Sequence, residues 1–313
     1  MCRATNTRIF VAHQPLSLCL AVVSFSFSAA CSPEKGDRPV PDTSLVERER
    51  PTQDRLGSNE LRVACLQASA YWRRQLEKGG RAISRPPFVL AGSLAENDLQ
   101  RWHEQTLQPA ACVLAKRFFR CPPDRPVTLL LFHDESTYRA EAERLFGDRA
   151  LGRHGYYRPH LRTMVVNAAS GRSVLLHELV HALMAFDFPE APTWIREGLA
   201  SMYEDCRIEL DPPVLVPLRG ARADTLRRAM LEGRLPSWES FFGTKNFGGP
   251  QAAIYYALAR HFCLFLDHRG VLERVYRTIR DRQDGPVHAV QRALEVRSWD
   301  ALDREFRNWV NAA

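Results

Sequence analysis

The alternation of apolar and polar residues becomes continuous only from about Leu61 onward. From there Leu61–Leu76 has the three-and-four spacing of an amphipathic helix, Pro87–Leu90 reads as a short strand, and 99–119 returns to helical spacing. The unbroken apolar run Pro126–Phe132 predicts a buried strand, 135–146 a helix, 152–159 a turn containing Gly and Tyr, and Arg162–Asn167 another strand. After Ser173 the spacing is helical almost throughout, over 173–186, 193–205, 221–232, 250–267, 270–281, 287–295 and 298–311. No repeat of fixed period occurs. The pattern predicts an α+β fold, with a small mixed β-sheet part over 61–172 and a mostly helical part over 173–313.

Ahead of this region, residues 1–30 have the plan of an export signal: Arg3 and Arg8, then the apolar stretch Pro15–Phe27, then small residues. The stretch is short for a transmembrane helix. Ser28-Ala29-Ala30-Cys31 resembles a lipoprotein processing site, which implies a lipid on Cys31 and attachment to a membrane; plain cleavage after Ala30 is the alternative. Residues 31–60 hold Pro33, Pro39, Pro41 and Pro51 among charged and small residues, the composition of a solvated tether. Together these place the protein outside the cytoplasm, in the periplasm or at the cell surface.

Charge narrows the picture mainly by exclusion. The formal charge is +7, from 43 Lys and Arg against 36 Asp and Glu, but the two signs are interleaved, so a nucleic-acid partner is not expected. Without a signal segment five cysteines remain beyond Cys31, at 65, 112, 121, 206 and 263; Cys112 and Cys121 are placed to staple a helix end to the strand after it. No C-x-x-C, G-x-S-x-G, G-x-G-x-x-G or P-loop pattern is present, which leaves cysteine-based metal sites, serine hydrolases and nucleotide binding unsupported.

The chemistry sits at His177-Glu178-Leu179-Val180-His181, an H-E-x-x-H inside an apolar helical run. Residues four apart lie one above the other on a helix, so both imidazoles project from one face and a single zinc ion can bridge them. Glu178 is placed to take a proton from water rather than to bind the metal. The next helix, beginning Pro192-Thr193-Trp194-Ile195-Arg196-Glu197-Gly198, offers Glu197 as a further ligand.

H-E-x-x-H followed by W-x-x-E-G-x-A resembles the gluzincin zinc metallopeptidases, in particular the peptidase MA-like group. The resemblance implies a zincin-like fold, one zinc ion on His177, His181 and Glu197, Glu178 as general base, and a peptide or protein substrate. Thermolysin-like members carry an Asp four residues after the ligand Glu to steady the first His; here that position is Ser201, with Glu204 and Asp205 as substitutes. The segment Ala253–Phe262 is similar to the Tyr-Ala helix of peptidase MA-like proteins, which favours Tyr256 as the oxyanion donor, with His261 as a helix histidine. Arg162–Asn167 occupies the place of the gluzincin edge strand, whose free edge suits an extended peptide. In a metzincin-like arrangement Asp187 would replace Glu197 as third ligand. Two other functions fit the same residues: an inactive zincin-fold lipoprotein that binds or assembles, and an amidase acting on cell-wall peptides. Trp194, Trp238, Trp299 and Trp309 read as core.

Overall fold

The computed structural model describes residues 57–312 except 78, 150, 151, 153, 219 and 221. The expected signal segment, Cys31 and almost all of the tether lie outside the described residues. No helix among the described residues is long and apolar enough to cross a membrane.

The apolar runs of the first half assemble into a five-stranded mixed sheet. Its strands are β1 (Arg81–Arg85), β2 (Phe88–Gly92), β3 (Val127–Phe132), β4 (Gly155–Arg158) and β5 (Thr163–Asn167), in the spatial order β1-β2-β3-β5-β4. β2, β3 and β5 run parallel, while β1 and β4 pair antiparallel at the two edges. Every residue of β2, β3 and β5 is buried, as expected of strands covered on both faces. Helix α1 (Ser58–Gln75) and, after the short α2 (Glu96–Trp102), a π-turn at His103–Leu107 and α3 (Gln108–Arg117), helix α4 (Glu135–Phe146) complete this half. Trp72 of α1 and Tyr138 of α4 pack on one face of the sheet, and Trp72 donates its indole N–H to Thr128 Oγ1 at 3.1 Å.

The second half begins with α5 (Arg172–Asp187), which packs on the other face of the sheet, and α6 (Thr193–Glu204), which packs on α5. A hairpin follows, β6 (Cys206–Leu210) and β7 (Pro213–Pro217), and then α7 (Arg222–Leu231), α8 (Trp238–Gly243), α9 (Ala252–His268), α10 (Leu272–Arg280), α11 (Pro286–Leu294) and α12 (Trp299–Ala312). Trp194 and Trp238 are buried in an aromatic cluster with Phe241, Phe242, Phe262 and Phe306, while Trp299 and Trp309 pack against it.

Three expectations are corrected. Arg162–Asn167 is not a free edge: β5 lies between β3 and β4, because its run Met164-Val165-Val166 is apolar on both faces and has to be covered on both. The expected turn at 152–159 instead supplies the edge strand β4, whose residues are half-buried. The staple between Cys112 and Cys121 does not form; Cys112 is an exposed, unbridged thiol that accepts from Gln108 Nε2 at 3.3 Å.

The halves are locked together by polar contacts. Arg117 of α3 donates to Tyr203 Oη at 2.7 Å, to Asp267 at 2.5 Å and to Glu273 at 2.8 Å. Asp187, at the end of α5, is buried and accepts from the Arg120 and Cys121 backbone N–H groups, the Tyr276 hydroxyl and Arg280. That occupation removes Asp187 from consideration as a metal ligand.

Candidate metal centre

Helix α5 is apolar on nearly all sides, so it can exist only enclosed, and ten of its residues from Val174 to Met184 are buried. Enclosure carries His177 and Glu178 inside with it, at 7% and 5% exposure. The two imidazoles of His177 and His181 stand 4.8 Å apart, centroid to centroid, as their four-residue spacing requires.

Glu197 reaches them from α6. Its Oε2 lies 3.5 Å from His181 Nε2 and 3.8 Å from His177 Nε2, and one donor atom from each of the three residues falls within 4.8 Å of the others. These separations are long for hydrogen bonds. Glu197 Oε2 is buried and has no hydrogen-bond partner among the described residues. A buried carboxylate oxygen facing two imidazole nitrogens without bonding either is the donor arrangement that a divalent cation satisfies, and two imidazoles with one carboxylate suit zinc among such ions.

The position of Glu197 depends on its neighbour. A Cβ on Gly198 would lie 2.8 Å from Ala259 O and 2.5 Å from Cys263 Sγ, so only glycine lets α6 and α9 cross this closely. Below the crossing, Arg260 is buried and donates to the carbonyls of Ser201, Met202, Asp205 and Leu218, capping the C-terminus of α6 and tying it to the hairpin.

Behind the ligands, His177 Nδ1 lies 3.2 Å from Glu204 Oε2, and Arg222 donates to both oxygens of that carboxylate at 3.1 and 3.0 Å. Of the two substitutes expected for the missing Asp, Glu204 takes the role; Asp205 faces Arg260 at 3.9 Å. Glu204 follows Glu197 by seven residues, two helical turns, which returns it to the same face. Ser201 is fully buried and its hydroxyl has no partner among the described residues.

Burial and charge set the protonation tendencies. Burial pushes the Glu178 carboxyl above its ordinary value, with the two histidines working against the shift. Burial opposes ionisation of Glu197 and Glu204 also, yet His181 and His177 hold Glu197 down to about 2, and His177 with Arg222 holds Glu204 at about 2. Burial disfavours the His177 cation, but the hydrogen bond to Glu204 and the surrounding carboxylates outweigh it and raise its pKa.

Tyr256 comes from α9. Its phenol is pushed up by burial and then by the nearby Glu197 and Glu178 carboxylates, and the Arg222 guanidinium lies 5.3 Å from its ring centroid. The structure therefore gathers His177, Glu178, His181, Glu197 and Tyr256 into one region. His261 is held apart, its Nδ1 at 2.8 Å from Ala257 O. Sequence reasoning missed Arg222 and Arg260. Arg260 was visible as a lone charge in the apolar run Tyr255–Phe262, while Arg222 carries no local signal.

No protein-family profile matches the sequence, and no characterised protein matches it significantly.

Proposed function

We propose that this chain is a zinc-dependent peptidase of the gluzincin, peptidase MA-like kind, exported and held at a membrane through Cys31. The observation that carries the reading is the convergence of His177, His181 and the hydrogen-bond-free oxygen of Glu197 beside a fourth, non-ligating group, Glu178. Zinc held by His177, His181 and Glu197 would supply a Lewis acid that acidifies water and polarises a carbonyl.

The chain's own residues do the rest. Glu178, with a carboxyl raised by burial, accepts the proton from the attacking water at its carboxylate and returns it to the leaving amine nitrogen. Glu204, anchored by Arg222, accepts from His177 Nδ1 and so fixes which ring nitrogen faces the ligands. The Tyr256 hydroxyl, kept protonated by burial and by the neighbouring carboxylates, donates to the oxygen that gains charge as the carbonyl is attacked. The outer edge of β4, beyond which no strand lies among the described residues, suits an extended peptide.

The test is metal content and cleavage measured on the same preparations. The wild-type chain should hold one zinc, the His177→Ala/His181→Ala variant none, and Glu178→Gln should keep the metal while losing about 10²–10⁴-fold in hydrolysis. Absence of bound metal after incubation with zinc would overturn the reading. Full biological function in the Glu178→Gln chain would favour a binding or assembly role.

A further inference from the structure

Two buried donors near this centre lack acceptors. Tyr157 Oη and Arg162 Nε are both buried with no hydrogen-bond partner among the described residues, and Arg162 makes no ion pair there either. Native interiors rarely leave such groups unmet, so an unmet pair points to something that belongs between them.

Their place in the fold follows from the strand register. A Cβ on Gly155 would meet Val174 Cγ1 at 2.8 Å, so β4 begins against α5 at Val174. Tyr157 lies two residues on, roughly 7 Å along the strand, which matches four to five residues of helix and brings it level with Glu178. Tyr157 pairs with Met164 and packs against the core cluster that contains α5. Arg162 directly precedes Thr163, which pairs with Arg158, so the β4–β5 connection brings Arg162 beside Tyr157. Consistent with this, Tyr157 feels both Arg162 and Glu178 electrostatically.

Arg162 is also held in an unusual way. Its backbone is left-handed, with φ 49° and ψ 40°, and is pinned by its N–H to Pro159 O at 3.1 Å and by its carbonyl to Thr128 N at 2.9 Å. Burial and the neighbouring Arg125 work against its positive charge, with Tyr157 and Asp124 opposing them. A guanidinium kept half-buried beside a second arginine gains most from a group that only accepts and carries negative charge.

We propose that Arg162 and Tyr157 form a subsite for a carboxylate on the peptide that lies along β4. The carboxylate accepts from Arg162 Nε–H and from the Tyr157 hydroxyl. It belongs either to an Asp or Glu side chain or to the peptide's C-terminus. The subsite rests on the reading of the β4 edge as a peptide site.

The experiment is fluorescence anisotropy on the full chain carrying Glu178→Gln, which separates binding from turnover. Three labelled octapeptides are compared: one with a single Glu and an amidated end, its Gln counterpart, and a neutral peptide with a free C-terminus. Whichever carboxylate the subsite takes should bind about tenfold or more tighter than the Gln peptide. Adding Arg162→Gln should bring that ratio close to one, Tyr157→Phe should reduce it, and Arg162→Lys should retain most of it, showing that charge rather than folding is read. Equal affinity for all three peptides, or a preference that survives Arg162→Gln, overturns the subsite. Cleavage by the wild-type chain without a carboxylate preference would refute the subsite alone. A preference dependent on Arg162 in a chain that cleaves nothing would support the subsite and refute the peptidase reading.

Discussion

Asp187 collects four donors, two from backbone N–H groups and one each from Tyr276 and Arg280, and it does so with no exposure of its side chain. Removing one partner of a buried pair strands the other, so Asp187→Ala should cost about 3–5 kcal/mol in urea denaturation, and adding Arg280→Met should recover part of the loss. Ser201 is the opposite case. Its buried hydroxyl has no partner among the described residues, so Ser201→Ala should stabilise the chain by about 1 kcal/mol in the same measurement. Glu204→Gln should leave the fold intact and weaken zinc binding about 10–100-fold, read by competition with a chelator. At this scale the facing pair His177 and His181 was legible because H-E-x-x-H is local: helical geometry alone fixes what it presents. Arg222 was not, because its meaning comes from Glu204, which reaches it from another element. Tyr157 and Arg162 were hidden for a similar reason, since neither belongs to any spacing pattern and only the pairing of β4 with β5 brings them together.

The elements show where spacing succeeds and where it stops. Most helices fall within a few residues of their apolar periodicity, but Cys206–Leu210 was overlooked although it alternates strictly, since it sits among helical segments and precedes the pair Pro212-Pro213. Trp238–Gly243 is too short for a helical period to register. Which strand lies at an edge is a property of the whole sheet, so the sequence of β5 was read correctly as a strand and wrongly as an edge. The α6–α9 crossing depends on one missing side chain, and Gly198→Ala should push the helices apart, lowering stability by about 1–3 kcal/mol and zinc occupancy with it, by calorimetry and elemental analysis. The start of α4 carries a pH signature. Asp134 accepts from Thr137 N–H at 2.8 Å and from the Ser136 hydroxyl, and these bonds hold its carboxyl at about 2, below the ordinary 3.8. A depressed carboxyl stabilises the fold above its unfolded pKa and loses that contribution as the pH falls through the folded value. Asp134→Ala should therefore lower the urea midpoint at pH 5, and the difference from wild type should shrink steadily toward pH 2.

Across the whole molecule, the sheet-bearing part and the helical part share their polar anchors. Arg117 and Arg120 of the first bond Asp267, Glu273 and Asp281 of the second, and Asp187 bonds backbone near the end of α3 and side chains of α10. The boundary near residue 172 is a change in secondary-structure content and not a seam in the packing. Heating should thus give a single transition, with the near-ultraviolet signal of the Trp238 cluster and the far-ultraviolet signal falling together; two separated transitions would show independent parts.

The seven-residue step from Glu197 to Glu204 also bears on how such a centre changes over time. On a helix, an acid one turn nearer or one turn farther faces the same histidine, so support for His177 can move between positions 201 and 204 while the ligands stay where they are. Reversal is the corollary: placing Asp at 201 in a Glu204→Gln background, written Ser201→Asp/Glu204→Gln, should restore much of the zinc affinity that Glu204→Gln alone removes.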